Sequence, residues 1–418
     1  MADMILSEEL QWRGFVNQTT FENLEDLDKQ PIVFYHGFDA SAPSQTIGNL
    51  AAMMADKVFM RHGHKAILLA GGSTTLIGDP GGKDTERPIQ DEATIAKNVD
   101  NAEKQLNKIF AGQQYTLVNN LDWTKDLKVL DFLRDIGKHF SMTPLVQRDY
   151  IAKRLGEGGS GISYAELSYT LLQGMDYLYL YDNYDVTLQL GGSDQWGNCM
   201  SGVELIRKAR GVEVNAMTLP LVINKSTGVK FGKSEAGAVW LDEALTSVYQ
   251  FYQFWLNIDD EGVEGYLKIY TELTKDEIDN LMAEFNNDRS ARAAQKTLAY
   301  EVTKTVHGQD RADSVKRISE VLFGNREYSE LTVADFEELH KELGLLEVQA
   351  GADLAGALVD SKLASSKTEA RHFLEANAIY INGSQIPLSK TTLDQDDAIN
   401  GFAVLRRGKN SQVIVKIQ

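Results

Sequence analysis

Four short stretches of this chain combine residue types that suit a phosphate, a ribose and a small polar ligand. The first is Tyr35-His36-Gly37-Phe38-Asp39, followed by Thr46-Ile47-Gly48-Asn49. Gly37 and Gly48 let backbone approach a ligand closely. A helix opening at Thr46 would turn free N–H groups and the positive end of its dipole toward a phosphate. The second is Gly71-Gly72-Ser73, then Gly78-Asp79-Pro80-Gly81-Gly82-Lys83 and Arg87, a glycine-rich loop with cations at its end. The third is Tyr169, Gln173 and Asp176, spaced i, i+4, i+7 and so on one helix face. Leu171, Leu172, Met175 and Leu178 cover the rest of that helix. A polar stripe on a buried helix needs partners, from the protein or from a polar ligand. The fourth is Gly191-Gly192-Ser193-Asp194-Gln195, matched later by Lys230-Phe231-Gly232-Lys233-Ser234. An acid just past a strand suits ribose hydroxyls. Lysines on a loop suit charge developing on a phosphate.

Such groups converge only if a scaffold brings them to one edge. Pro31–His36 and Lys65–Ala70 read as strands, and about 48–61 between them as a helix. That is a βαβ unit with a right-handed crossover. Further strands are expected at Tyr115–Val118, Val186–Leu190 and Met217–Val222, and a helix over Asp194–Arg210. The pattern is an α/β class fold, a Rossmann-like doubly wound parallel sheet that presents ligand sites at the carboxyl ends of its strands. Helical periodicity then runs through 247–256, 263–273, 275–285 and 289–307. A last unit begins near Ala350. It has helices at 354–359 and 367–377, a strand Ile379–Ile381, an Asn382-Gly383 turn and strands at 403–405 and 412–417. The expected division is 1–235 with a connective insertion at about 120–185, a helical domain 236–345, and a small α+β module 350–418.

The chain has 418 residues, 42 Lys+Arg against 60 Asp+Glu and a formal net charge of −18. That excludes a protein that coats nucleic acid through a uniformly cationic surface. The acid is unevenly spread. Residues 351–418 carry eight basic and seven acidic side chains, a net +1, with Arg406-Arg407-Gly408-Lys409 the densest cluster. Docking of one RNA through local patches stays open. No apolar run approaches the roughly 18 residues of a membrane span, and the acidic start is unlike a secretory signal. Cys199 is the only cysteine, which excludes an intramolecular disulfide and fits a reducing cytoplasm.

Two apparent motifs are set aside. Gly156–Gly161 matches a dinucleotide fingerprint, but no strand precedes it. Gly82-Lys83 resembles a P-loop, but Ile77 stands at the first glycine and Asp84 at the Ser/Thr. No Cys/His cluster has metal-ligand spacing, and no metal ligand is expected.

The segments Tyr35–Asp39, Gly78-Asp79-Pro80 with Lys83 and Arg87, Tyr169–Asp176, Leu190–Asn198 and Lys230–Ser234 resemble those of the bacterial tyrosyl-tRNA synthetases, class I aminoacyl-tRNA synthetases. Gly-Gly-Ser-Asp-Gln-Trp-Gly-Asn at 191–198 is the most specific of them. The likeness extends over essentially the whole chain. Phe251–Asn257 is similar to the family's helical domain, and the tail to its S-four-like RNA-binding module. The resemblance implies activation of L-tyrosine by ATP, with Mg²⁺ carried on the ATP, and transfer of tyrosine to tRNA(Tyr) by a cytoplasmic homodimer. It implies that Tyr35 and Asp176 bind the phenolic hydroxyl. Asp79, Tyr169 and Gln173 would hold the ammonium group, with Gln195 near the carboxylate. Gly37, Asp39, Gly48, Gly192, Asp194 and Lys233 would contact ATP. Thr46, Asn49, Lys83, Arg87, Lys230, Lys233 and Ser234 would stabilise the reacting phosphates or reach the acceptor stem. A tryptophanyl-tRNA synthetase and a catalytically impaired RNA-binding relative are the alternatives. Tyr35 and Asp176 favour a phenol over an indole, and the retained Lys230, Lys233 and Gln195 favour an active enzyme.

One departure matters. The family's His-Ile-Gly-His signature reads Thr46-Ile47-Gly48-Asn49 here. Each lost donor is worth on the order of 2–4 kcal/mol of barrier if nothing replaces it. His36 is placed to compensate. His36→Ala is therefore expected to slow adenylate formation more than Thr46→Ala does. Pre-steady-state adenylation rates check this, and the reverse order would dismiss the compensation.

Overall fold

The computed structural model describes residues 4–79, 81, 90–229, 231–234, 237–324, 326–408 and 411–418. The chain forms two compact units. One comprises Met1–Thr246 with Trp255–Val306, the other Ser247–Phe254 with His307–Gln418.

The first unit is built on a six-stranded sheet. Its strands are β1 (Gln18–Thr19), β2 (Val33–Phe38), β3 (Lys65–Ala70), β4 (Tyr115–Asn119), β5 (Val186–Gly192) and β6 (Asn215–Leu219), in the order β1-β6-β5-β2-β3-β4. All neighbours are parallel except β1, which closes the β6 edge antiparallel. The expected strand 217–222 begins earlier, at Asn215, and stops at Leu219 because Pro220 has no N–H to donate to a ladder. Five consecutive buried residues, Ala66–Ala70, make β3 an interior strand.

The helices that matter for the site are α1 (Leu6–Arg13), α2 (Ile47–Arg61), α3 (Gly72–Ile77), α4 (Glu92–Ile109), α5 (Tyr164–Tyr184) and α6 (Trp196–Arg210). Thr46 caps α2, whose residues Ile47, Leu50, Met53, Met54 and Val58 are buried. Ser163 caps α5: its hydroxyl accepts from the Glu166 N–H at 3.2 Å, and Glu166 accepts from the Ser163 N–H at 3.0 Å, a reciprocal capping box. Asp185 ends α5 in the left-handed conformation. The helix expected over 289–307 is two pieces, a short turn at Arg289–Ala291 and a helix at Ala293–His307, divided where Arg292 adopts a φ of 53°. Helices α1 and α4 were not anticipated. α1 has little amphipathic contrast. α4 is announced by Asp91, whose carboxylate accepts from the Thr94 N–H, and by Ile95, Asn98, Ala102, Leu106 and Ile109, buried at helical spacing.

Strand alternation divides the core. Tyr35, Ile67, Leu69 and Val118 point to one face, against Tyr177, Leu178 and Leu180 of α5 and Leu205 and Ile206 of α6. Phe34 points to the other, where its ring lies 5.0 Å from that of Phe59 on α2. α1 is bound to this scaffold by charge. The Glu9 carboxylate accepts from Arg13 at 2.6 Å, from His62 at 2.8 Å and from Arg61. Arg13 in turn donates to the carbonyls of Lys268, Thr271 and Leu273, at the end of the helix Val263–Tyr270.

The second unit carries a five-stranded sheet of Leu345–Val348, Ile379–Ile381, Ser384–Gln385, Phe402–Arg407 and Ser411–Ile417. Asn382 and Gly383 turn between two of these strands with φ of 46° and 79°. Two positive φ values are what the tightest hairpin requires, so the Asn-Gly pair expected there has a steric reason. Phe336 stacks on Phe402 at 5.2 Å in the core beneath. Among the described residues, no helix is long and apolar enough to cross a membrane.

Burial works to raise the Glu9 pKa, but the bonds from His62, Arg13 and Arg61 prevail and hold it at about 2. A depressed carboxylate contributes stability above its unfolded pKa, and that contribution fades as pH falls toward the folded value. Glu9→Gln is expected to destabilise the chain by about 3 kcal/mol at pH 7, with the difference shrinking below pH ~4.5. Chemical denaturation at pH 7 and pH 3 checks this; an equal deficit at both would show that the charge contributes nothing.

Candidate active site

A cavity of about 570 Å³ opens at the carboxyl ends of β2, β3 and β5. That is ample for a small ligand. It is lined by Tyr35, Gly37, Asp39, Thr46, Gly48, Asn49, Asp79, Tyr169, Gln173, Asp176, Gly192, Asp194 and Gln195. The four separate stretches therefore converge on one space. Lys83, Arg87 and Lys230 lie outside the described residues. Of Lys233 and Ser234 the structure describes the backbone alone, in a short strand β7 (Lys233–Ser234) paired with β8 (Gly237–Ala238).

At one end of the cavity the groups are buried and polar. Asp176 is 1% exposed. Its carboxylate accepts from Asn120 Nδ2 at 3.0 Å and from Trp123 Nε1 at 2.9 Å. Burial raises its pKa to about 7, against the pull of these two donors. Tyr35 stands in the same pit. Its hydroxyl is buried without a hydrogen-bond partner, as are Oε1 of Gln173 and Oε1 of Gln189. Three unmet polar atoms in one apolar-walled pit are costly unless a ligand satisfies them. Burial, and the nearby Asp176 among other groups, also push the Tyr35 hydroxyl well above its usual pKa, so it stays a neutral donor.

Toward the mouth, a chain of hydrogen bonds holds the next groups. Arg148 donates to Thr170 Oγ1 at 3.0 Å and Asn198 Oδ1 at 3.2 Å. Asn198 donates to Gln195 Oε1 at 3.0 Å, and Gln195 Nε2 to Asp79 Oδ2 at 2.7 Å. Asp79 Oδ1 accepts the Gly81 N–H at 2.9 Å. Asp79 and Gln195 are thus presented together, as acceptor and fixed amide.

The remaining lobe lies against the start of α2. Asn49 Oδ1 accepts from the Thr46 N–H at 3.0 Å and from Thr46 Oγ1 at 2.8 Å. The pair that replaces the two histidines is therefore a helix cap, and its geometry leaves the Asn49 amide N–H₂ for the cavity. At Gly37 an added Cβ would meet nothing nearer than 3.9 Å. The protein itself does not demand glycine there; close approach of a ligand would. Gly232, with φ of +101°, is different. A Cβ on it would lie 3.0 Å from Ile47 Cγ1, so glycine is what lets the late loop press on the α2 start. Phe231 beside it stacks on Tyr266 at 4.3 Å, close to Trp255. Asp39 Oδ1 accepts from Ser41 N–H and Thr75 Oγ1.

Several contributors escaped the sequence reading. Asn120 and Trp123 sit just past β4, at the same sheet edge as the predicted groups, and that position was their only signal. Asn120 also accepts from the Ser73 N–H at 2.7 Å and donates to Thr74 Oγ1 at 3.0 Å, so it couples the glycine-rich loop to Asp176. Gln189 is a lone amide in an apolar strand, which was a legible anomaly. The Gly156–Gly161 run follows the helix Asp149–Leu155 rather than a strand, and lines no part of the cavity. Among the described residues, no group of three or more His, Cys, Asp or Glu could hold a metal ion.

Comparison with known proteins gives this geometry a family. Residues 27–324 match the family model for class I tRNA synthetases (W and Y), and residues 335–415 that for the tyrosine–tRNA ligase SYY-like C-terminal domain. Tyrosine–tRNA ligase of Escherichia coli is 43% identical, with 99% of each chain covered. That of Limosilactobacillus fermentum is 41% identical over 99% of this chain and 100% of its own. The crystal structure of a C-terminally truncated Aspergillus nidulans mitochondrial tyrosyl-tRNA synthetase superposes with a TM-score of 0.69 at 30% identity, over 77% of this chain and 95% of that one. Identity at this level over the full length, with the tyrosine-specific tail included, decides between the two members of the class: the chain belongs to the tyrosine–tRNA ligases.

Proposed function

We propose that the cavity joins L-tyrosine to ATP, releasing pyrophosphate, and then passes the tyrosyl group from the adenylate to the 3′ end of tRNA(Tyr). The observation that carries this reading is the polar pit. Asp176, fixed by Asn120 and Trp123, and the unpartnered Tyr35 hydroxyl suit one phenolic O–H, which can both donate and accept. Phenylalanine would leave the Tyr35 hydroxyl buried and unpaired and would bring Asp176 no donor beyond Asn120 and Trp123. Tryptophan would offer a single donor on a larger ring.

In this reading Asp79, Tyr169 and Gln173 hold the ammonium group, and Gln195 lies by the carboxylate. Gly37, Asp39, Gly48, Gly192 and Asp194 receive the nucleotide. The tyrosine carboxylate attacks the α-phosphorus in line and pyrophosphate departs, so no protein nucleophile is required. The chain contributes position and complementary charge. The α2 N-terminus and the Asn49 amide face the phosphates. Lys230, Lys233 and Ser234 are assigned to the same charge as the family's second signature, with Lys83 and Arg87 as nearby cations on pyrophosphate or the acceptor stem. Mg²⁺ arrives bound to the ATP phosphates.

The helical domain 236–345 and the module 350–418 are assigned to tRNA. Arg406 lies over the Tyr380 ring at 4.1 Å, a cation on an aromatic face near the basic cluster. Lys409 is outside the described residues. A second copy of the chain is proposed to cover the connective insertion. There Val129, Leu130, Leu133 and Met142 are 72%, 77%, 43% and 54% exposed, a density of apolar side chains that water does not favour. The reaction is placed in the cytoplasm.

Pyrophosphate exchange with tyrosine, phenylalanine and tryptophan in parallel tests the reading. Exchange driven by tyrosine alone is expected. Exchange with none would mark a binding protein, and exchange driven by tryptophan the sister specificity. A second prediction concerns acidity. The phenol needs an ionised Asp176 as acceptor. With that pKa near 7, kcat/KM for tyrosine is expected to fall as pH drops through that value. Asn120→Ala removes a donor that favours the carboxylate, so the fall moves to higher pH. A fall that stays in place would mean another group titrates.

A further inference from the structure

We propose that Asp56 and His36 form a positioning pair that turns an imidazole Nε2–H onto an oxygen of the bound nucleotide, restoring a donor that the α2 signature lacks. The proposal rests on the reading of the cavity as a tyrosine- and ATP-binding site.

The placement follows from alternation along β2. Tyr35 faces α5 and the phenol pit, so His36 faces α2. There His36 Nδ1 lies 2.8 Å from Asp56 Oδ2. Asp56 sits on the buried side of α2, 1% exposed, one turn from Phe59 and Met53, which are buried too. A carboxylate on that apolar face is expensive unless something specific holds it. His36 is its one hydrogen-bond partner among the described residues, and its Oδ1 is buried and unmatched. Packing alone would be served better by an apolar residue at position 56. The ring is not wholly enclosed: the His36 side chain keeps 14% of its surface and lines the cavity beside Gly37, Gly48 and Asn49. With Nδ1 committed to Asp56, Nε2 is the nitrogen left for a ligand, and it bonds to no described residue.

The charge state decides what Nε2 does. With Nδ1–H given to Asp56, a neutral ring has a bare, accepting Nε2; only the imidazolium donates from both nitrogens. Burial works against the cation, but the charge and hydrogen bond of Asp56 prevail and raise the His36 pKa. Among the described residues, no other charge competes closely. Its register neighbours are Leu68 on β3 and Leu190 on β5. On α2, Lys57 turns away to Glu272 at 2.6 Å. Across the cavity stand Asp39 and Asp194, anions that also favour the cation. The arrangement resembles the carboxylate–imidazole pairs in which an acid fixes tautomer and orientation while the ring does the contacting.

The test is pyrophosphate exchange at saturating tyrosine, varying ATP from acid to alkaline pH. Exchange by the unaltered chain tests the tyrosine–ATP reading; the comparison of variants tests the pair. For the unaltered chain, kcat/KM for ATP should fall on the alkaline side, as His36 loses its second proton. In Asp56→Asn the pKa is no longer held up, so the same fall should come at lower pH. Roughly tenfold should be lost where the unaltered chain is still protonated, the worth of a charge-assisted hydrogen bond. KM for tyrosine should not move. His36→Gln should be uniformly slow for ATP and show no such fall. The double variant should be no slower than His36→Gln alone, which keeps the test valid if Asp56→Asn is less stable. Repeating the His36→Gln comparison with 3′-deoxy-ATP narrows down the oxygen: its cost vanishes for a contact to the 3′-hydroxyl and persists for a contact to any other oxygen of the nucleotide. An Asp56→Asn profile that coincides with the unaltered one, or a deficit shared equally by tyrosine and ATP, would overturn the pair.

Discussion

Strands β2 and β5 lie side by side and parallel, with Tyr35 opposite Gln189 and His36 opposite Leu190. The site depends on that pairing. It sets the end of β2, with Gly37 and Asp39, against the Gly191-Gly192 end of β5. The chain leaves the two strands in different ways, through α2 from one and α6 from the other. Where neighbouring strands diverge like this, their carboxyl ends open into a crevice that backbone cannot fill. A slip of one residue in β2 would exchange Tyr35 and His36 between faces and dismantle both halves of the cavity at once.

The two halves are built on the same plan. On one face of the sheet Asp176 is buried, and Asn120 and Trp123 hold it in place for Tyr35 to work beside. On the other, Asp56 is buried and bound to His36. A carboxylate out of water is unfavourable, and its energy falls steeply when donors are in place. Each buried acid therefore makes its surroundings rigid. In the proposed reading that rigidity serves discrimination on the tyrosine side and orientation on the nucleotide side, from two consecutive residues of one strand.

The late loop is constrained from two directions. Gly232 presses on Ile47, and the Ile47 N–H donates to the carbonyl of Val239 at 3.1 Å. Phe231 meanwhile stacks among Tyr266, Trp255 and Tyr270 of the helical segment. The segment that carries the second signature is thus seated on the helix that carries the first, with an aromatic side chain as anchor. Arg13 performs a comparable task at a distance, closing three carbonyls at the end of Val263–Tyr270 while Glu9 holds its charge. These contacts explain why the helical segment Trp255–Val306 belongs to the same compact unit as the sheet.

Local chemistry was readable in the chain itself. The βαβ alternation, the polar stripe of Tyr169, Gln173 and Asp176, the helix start at Thr46 and the Asn382-Gly383 turn each depend on neighbours a few residues away. Periodicity and steric preference act over that range. The family signatures were equally legible, because they are runs of adjacent residues. What tertiary structure alone decided is the choice of partners. Alternation says that Tyr35 and His36 face opposite sides, but not that Asn120 and Trp123 fix the acid on one side while Asp56 waits on the other. Nor does it say that Thr46 and Asn49 bind each other, or that Gly232 needs its missing Cβ because Ile47 is there. Those facts depend on which distant segments the sheet order brings together. Hydrogen bonds and close packing are short-ranged in space and indifferent to separation along the chain.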